Sequence, residues 1–168
     1  SAAGVARLTI LEHPDPRLRL HAEPVTRFDT GLAQLVDDLL ETLYASEAIG
    51  LCAQQANDLR QVIVMDLSGN ASAPQVYINP EILAGSRLGM VEESCLSVPG
   101  VSASVARNTQ IRVREQAPAG DYFERDLEGM DAVCLQHEMD HLVGTLFVDR
   151  LSWLRRQFLR WSQSRAAV

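Results

Sequence analysis

Leu32, Leu35, Val36, Leu39, Leu40 and Leu43 recur at three- and four-residue intervals, the period that lines one face of an α-helix. Asp29 and Thr30 stand just ahead of them as caps, so the pattern predicts a first helix near 31–46. Further along the period shortens. Gln61-Val62-Ile63-Val64-Met65, Val76-Tyr77-Ile78 and Gln110-Ile111-Arg112-Val113-Arg114 are compact runs rich in β-branched residues. Turn-forming Ser68-Gly69-Asn70 and Ala117-Pro118-Ala119-Gly120 punctuate them, as expected of strands. A second helix is predicted near 129–142. Strands that come in a run, rather than alternating with helices, point to an α+β fold with antiparallel sheets packed around that second helix. Leu151, Leu154, Phe158 and Trp161 form an apolar stripe on a C-terminal helix at about 151–163, expected to dock on the body.

The second helix carries the chemistry. Gln136-His137-Glu138-Met139-Asp140-His141-Leu142 places two histidines one turn apart on one face, the H-E-x-x-H pattern. Two neutral imidazoles so spaced converge on one divalent ion, with Glu138 as candidate proton carrier for water activated there. Downstream of His141 the sole acid is Asp149, and no His or Cys follows, so a third ligand is sought upstream among Cys52, Cys95, Cys134, His13, His21 and carboxylates. Cys134 shares the helix but lies about 10 Å along the axis from His141, and reads as a small residue lining a pocket. Cys95 sits in the turn-rich Glu92-Glu93-Ser94-Cys95-Leu96-Ser97-Val98-Pro99-Gly100, where a thiol next to a metal becomes a thiolate ligand. Cys52, in Ala48-Ile49-Gly50-Leu51-Cys52-Ala53-Gln54-Gln55, stays open as the alternative. The small residues of that stretch suit a close approach by backbone or ligand, and its last glutamine suits an oxyanion. The competing reading makes Gly50 a helix cap before a buried strand.

Taken together, Ala48 to Gln55, Glu93 to Ser97 and Gln136 to His141 resemble, in this order, the G-h-G-h-A-A-x-Q, E-G-C-L-S and Q-H-E-x-D-H motifs of peptide deformylases. Ile10 to Arg19 and Leu142 to Asp149 are also similar to that family, and the likeness spans Leu8 to Leu151. The resemblance implies Cys95, His137 and His141 as metal ligands, Glu138 as general acid and base, and Gln55 with the N–H of Leu96 as oxyanion donors. It implies Ile49, Gly50, Val133 and Cys134 around the pocket for the first substrate side chain. It further implies one ferrous ion per chain, with Zn²⁺, Ni²⁺ or Co²⁺ as substitutes, although affinity order alone favours Zn²⁺. The implied reaction removes the N-formyl group from formyl-methionyl nascent chains. Three positions depart from the motifs: Ala48 and Ser94 stand where the family has Gly, and Cys52 where it has Ala. Rival readings are an H-E-x-x-H metallopeptidase, a catalytically weakened deformylase-like protein and a metal-stabilised binding module.

Composition fits this picture. A chain of 168 residues, 46% hydrophobic, suits one catalytic domain spanning 1–168. No apolar run approaches the roughly 20 residues that span a bilayer, so no membrane partner is expected. Three cysteines make no disulfide framework and suit a reducing compartment: the cytoplasm, or an organelle matrix or stroma if a transit peptide has been removed. All fifteen basic residues are Arg, and the net charge is −7. Five arginines fall in 150–168, which has no acid, so the body is strongly acidic and repels nucleic acid. No DNA partner is expected, whereas the resemblance implies a ribosome contact through the basic C-terminal helix.

Overall fold

A computed structural model describes residues 4–157 and 159. Helix α1 spans Thr30–Tyr44. Its cap is Asp29, whose carboxylate accepts the N–H of Leu32 at 3.0 Å. It stops two residues short of the expected end because the Ser46 hydroxyl and backbone N–H both turn back onto the Leu43 carbonyl.

Five strands follow: β1 (Gly50–Cys52), β2 (Val62–Met65), β3 (Gln75–Cys95), β4 (Val98–Gln116) and β5 (Tyr122–Glu128). They hydrogen-bond in sequence order, and every pairing is antiparallel. Helix α2, Met130–Leu142, packs on one face of this sheet and α1 on the other. That arrangement explains why β2 reads as an unbroken apolar run: Val62 and Val64 point into the cluster of α1, Ile63 and Met65 into that of α2. β1 divides the same way, Leu51 toward α1 and Cys52 toward α2.

β3 and β4 extend far beyond the short expected runs. Their paired length continues from Ile78 opposite Gln116 to Cys95 opposite Val98. The stretch 81–88 is exposed at every position, so no alternation marks it in the sequence, and the backbone ladder alone holds it. On β4, Val101, Ala103 and Val105 alternate inward against Leu146, Phe147 and Leu151. The turn-rich expectation for 92–100 is corrected in one respect: Cys95 ends a strand, and Leu96-Ser97 form a two-residue hairpin tip. β5 was not expected, because its apolar content is slight. It is held by its ladder and by Arg112 paired with Glu124 and Asp126 at 3.2 and 3.0 Å.

α2 is buried on most of its surface, including His137, Glu138, Asp140 and His141. It ends at Leu142, and the turn that follows passes beneath the N-terminal arm at Gly144. A Cβ there would meet the Arg19 carbonyl oxygen at 2.4 Å, and its φ of +71° is one that glycine adopts freely. At the C-terminus residues 153–157 are helical. The expected docking stripe needs correction, because Leu151 is buried but Leu154 is 73% exposed. The helix begins only after Ser152, so Leu151 precedes its register. Phe158, Trp161 and the rest of the expected helix beyond Leu159 lie outside the described residues.

Candidate metal centre and catalytic cleft

α2 lays His137 and His141 one turn apart, with ring centroids 5.4 Å from each other. The β3–β4 hairpin brings Cys95 over that face, and its Sγ lies 3.4 Å from Nε2 of His141. One ligand atom from each of the three falls within 4.8 Å of the others, the candidate metal cluster found among the described residues. The sequence leaves Cys52 open as the alternative thiol and reads Cys134 as a residue lining a pocket. Cys52 is fully buried in the α2 core and Cys134 lines the cleft, and neither belongs to the cluster. Burial pushes both thiols well above their ordinary range. Asp149, the acid downstream, binds Arg19 and the Leu146 N–H instead, so the downstream-ligand arrangement of a metallopeptidase does not form.

The donor set fits a divalent cation. Nδ1 of His137 lies 2.8 Å from Oε1 of Glu93, which leaves Nε2 for the ligand cluster. Burial depresses the His137 imidazole, but contacts with Cys95 and Glu93 outweigh it and raise the group to about 10. The site thus favours positive charge at this spot, which a cation held by the three ligand atoms would supply. Glu93 is itself buried, yet hydrogen bonds from Arg107 and His137 hold its carboxyl down at about 2. Glu138 lines the cleft, and its Oε2 has no hydrogen-bond partner among the described residues. Its burial, opposed by the attraction of His137, pushes it up to about 7.

The two glutamines after β1 divide the work. Gln54 donates to the carbonyls of Arg17, Leu18 and Leu20 at 3.2, 2.8 and 3.0 Å, so it pins the N-terminal arm. Gln55 accepts the Cys52 N–H at 3.0 Å and turns its amide N–H groups toward Ser97 Oγ at 3.0 Å and Cys95 Sγ at 3.5 Å. A cleft of about 630 Å³ opens beside it. Ile49, Gly50, Val133 and Cys134 line it together with Gln55, Leu96, Cys95, His137 and Glu138. His141 sits behind this lining, 1% exposed.

Glu93, Arg107 and Ser97 had been given no role from sequence. One signal was present for Glu93: two residues before Cys95 on a strand, it falls on the same face. Ser94, by contrast, is exposed and paired with Ser102. None of the departing positions Ala48, Cys52 and Ser94 has positive φ.

A family model described as polypeptide deformylase matches residues 7–157. The chain is 49% identical over 157 residues to the peptide deformylase of Cellvibrio japonicus, covering 93% of each. It is likewise 49% identical to that of Azotobacter vinelandii, over 93% of this chain and 94% of the relative. Among solved structures, a peptide deformylase from Legionella pneumophila superposes with a TM-score of 0.90 at 40% identity, over 96% of both chains. One from Synechococcus elongatus, in complex with actinonin, gives 0.83 at 37% identity over 91% of this chain and 89% of that one.

Proposed function

The chain belongs to the polypeptide deformylase family, and from that membership we propose how its own residues perform the family's reaction. The reaction is hydrolysis of the formamide at the N-terminal formyl-methionine of newly made polypeptides: the C–N bond breaks, leaving formate and a free amine. Cys95, His137 and His141 hold one divalent ion, a reading carried by their mutual approach within 4.8 Å. The ion, when bound, supplies Lewis acidity toward water and the formyl oxygen. It is ferrous in the cell, and Zn²⁺, Ni²⁺ or Co²⁺ replace it in the purified protein.

Glu138 takes a proton from the attacking water and passes it to the departing nitrogen. Its Oε2, without a hydrogen-bond partner among the described residues, suits that role because no competing bond has to break. As the formyl carbon becomes tetrahedral, Gln55 Nε2–H and Leu96 N–H donate to the developing oxyanion. Gln55 is held in place by the Cys52 N–H on its carbonyl oxygen and by Ser97 Oγ on one N–H, so the N–H on the long 3.5 Å contact to Cys95 Sγ is the one that turns to the oxyanion. Ile49, Gly50, Val133 and Cys134 receive the methionine side chain.

Residues 1–168 act as one catalytic domain, consistent with a family match over 7–157. The Arg-rich tail, at about 151–163, touches ribosomal RNA, and the protein works in the cytoplasm. The deciding experiment measures amine release from formyl-Met, acetyl-Met and unblocked peptides, with metal content on the same sample. We expect release from formyl-Met alone and near one metal per chain. Equal cleavage of an internal peptide bond, or full activity without metal, overturns the reading.

A further inference from the structure

Behind His137 runs a line of alternating charges that the reaction does not touch. Glu93 Oε1 meets His137 Nδ1 at 2.8 Å. Arg107, only 2% exposed at its side chain, grips both oxygens of Glu93 with Nε and Nη2 at 2.8 and 2.9 Å. Its remaining arm, Nη1, reaches Asp140 Oδ2 at 2.8 Å. Asp140 in turn accepts a second fork from Arg150, at 2.7 and 2.6 Å. Two guanidiniums and two carboxylates neutralise one another formally, and the line ends on a ligand imidazole.

Arg107 joins three elements at this point: it springs from β4, holds Glu93 on β3 two residues from Cys95, and holds Asp140 on α2 beside His141. The hairpin that carries the thiol and the helix that carries both imidazoles are thereby tied through one buried side chain. A buried carboxylate with a single donor is costly and free to rotate, whereas a planar fork on both oxygens fixes its orientation. With Glu93 so fixed, Nδ1 of His137 donates to it and Nε2 faces Cys95. Lysine cannot reproduce this, because one ammonium lacks the fork that serves two carboxylates at once.

We propose that Arg107 is a positioning residue for the metal centre, acting through Glu93 on the orientation of His137 and through Asp140 on the seat of α2. The proposal rests on Cys95, His137 and His141 being the ligands. Its test compares wild type, Arg107→Met, Arg107→Lys and Arg107→Met in a Glu93→Gln background. Circular dichroism reports the fold, and chelator competition followed by metal analysis reports the affinity for Zn²⁺. Arg107→Met is expected to weaken metal binding on the order of 10- to 100-fold and to lower kcat of the metal-loaded protein while KM stays within about twofold. In the Glu93→Gln background the same change is expected to weaken binding far less, because the intermediary is already gone. Arg107→Lys is expected to fall between, at least about threefold weaker than wild type, and it carries the test if Arg107→Met fails to fold. Metal affinity at the wild-type level in the folded variant, or an equal loss in both backgrounds, overturns the proposal. Failure of the ligand assignment looks different: metal would then survive Cys95→Ser in an otherwise wild-type chain.

Discussion

Gly50 stands so close to Glu138 that a Cβ at residue 50 would lie 2.9 Å from Oε1 of Glu138 and 2.8 Å from Sγ of Cys134. Both contacts are shorter than real carbon contacts, and both side chains are buried. The first strand therefore carries glycine here to leave room for the carboxylate, not to cap a helix; Gly50 has no positive φ and opens β1. Gly50→Ala should push Glu138 off its position and lower kcat/KM by at least about tenfold, with metal content unchanged. Steady-state kinetics beside metal analysis will check this. Wild-type turnover would show that the carboxylate tolerates displacement.

Glu138→Gln preserves shape but removes the proton carrier. Metal should stay near one per chain, and deformylation should drop on the order of 10² to 10⁴. Single-turnover assays on the metal-loaded variant decide the point, and near-normal rates would assign the proton to another group.

How much of this was legible in the sequence depends on how local each feature is. The pairing of His137 with His141 follows from helical spacing, and the α1 leucines from the same period. The choice of Cys95 over Cys52 follows only weakly, from the turn-rich context of Cys95; family resemblance resolves it, and the fold shows Cys52 committed to the core beneath α2. The division between Gln54 and Gln55 was equally hidden, because it is decided by where the N-terminal arm crosses. Residues 81–88 and β5 escaped notice because their solvent-exposed pairing leaves little hydrophobic periodicity to read. Glu93 and Arg107 interact across fourteen residues, a distance that no local pattern encodes.

The ligand set predicts metal content directly. Ala at Cys95, His137 or His141 should leave well under one ion per chain after gel filtration, whereas Cys134→Ala should remain near stoichiometric. Elemental analysis of the four variants separates the cases, and metal loss in Cys134→Ala would reopen the choice of thiol.

Asp66 predicts an acid-sensitive contribution to stability. Its carboxylate accepts bonds from the Ser68 hydroxyl and N–H at 2.6 and 2.9 Å, the Tyr44 hydroxyl at 2.7 Å and the Ala73 N–H at 3.2 Å. The Ser68 hydroxyl above all, with these other donors, lowers it from 3.8 to about 2. A depressed folded-state value stabilises fully above the unfolded one, and that gain is lost as pH falls through about 4 toward 2. Melting temperatures of wild type and Asp66→Asn should therefore differ at neutral pH and converge toward pH 2. A gap that stays constant with pH would mean the charged form is not favoured on folding.

Ser94 tests whether the chain's departure from the family motif matters to catalysis. Glycine is required where φ is positive or where a backbone passes too close for a Cβ. Neither holds here: Ser94 is exposed, lies within β3 opposite Ser102, and has no positive φ. Ser94 lines the cleft beside Glu93 and Cys95, so the change is made next to the site but without backbone strain. Ser94→Gly should accordingly change kcat/KM by less than about tenfold, equivalent to 1.4 kcal/mol in barrier, and lower the melting point slightly because glycine in a strand costs about 0.5 to 1 kcal/mol. The register does shift between Ser94 and Cys95, so the opposite outcome has a definite signature. If the serine side chain distorts the hairpin tip, restoring glycine would raise kcat more than tenfold with KM unchanged, because the Leu96 N–H would then reach the oxyanion it is proposed to serve.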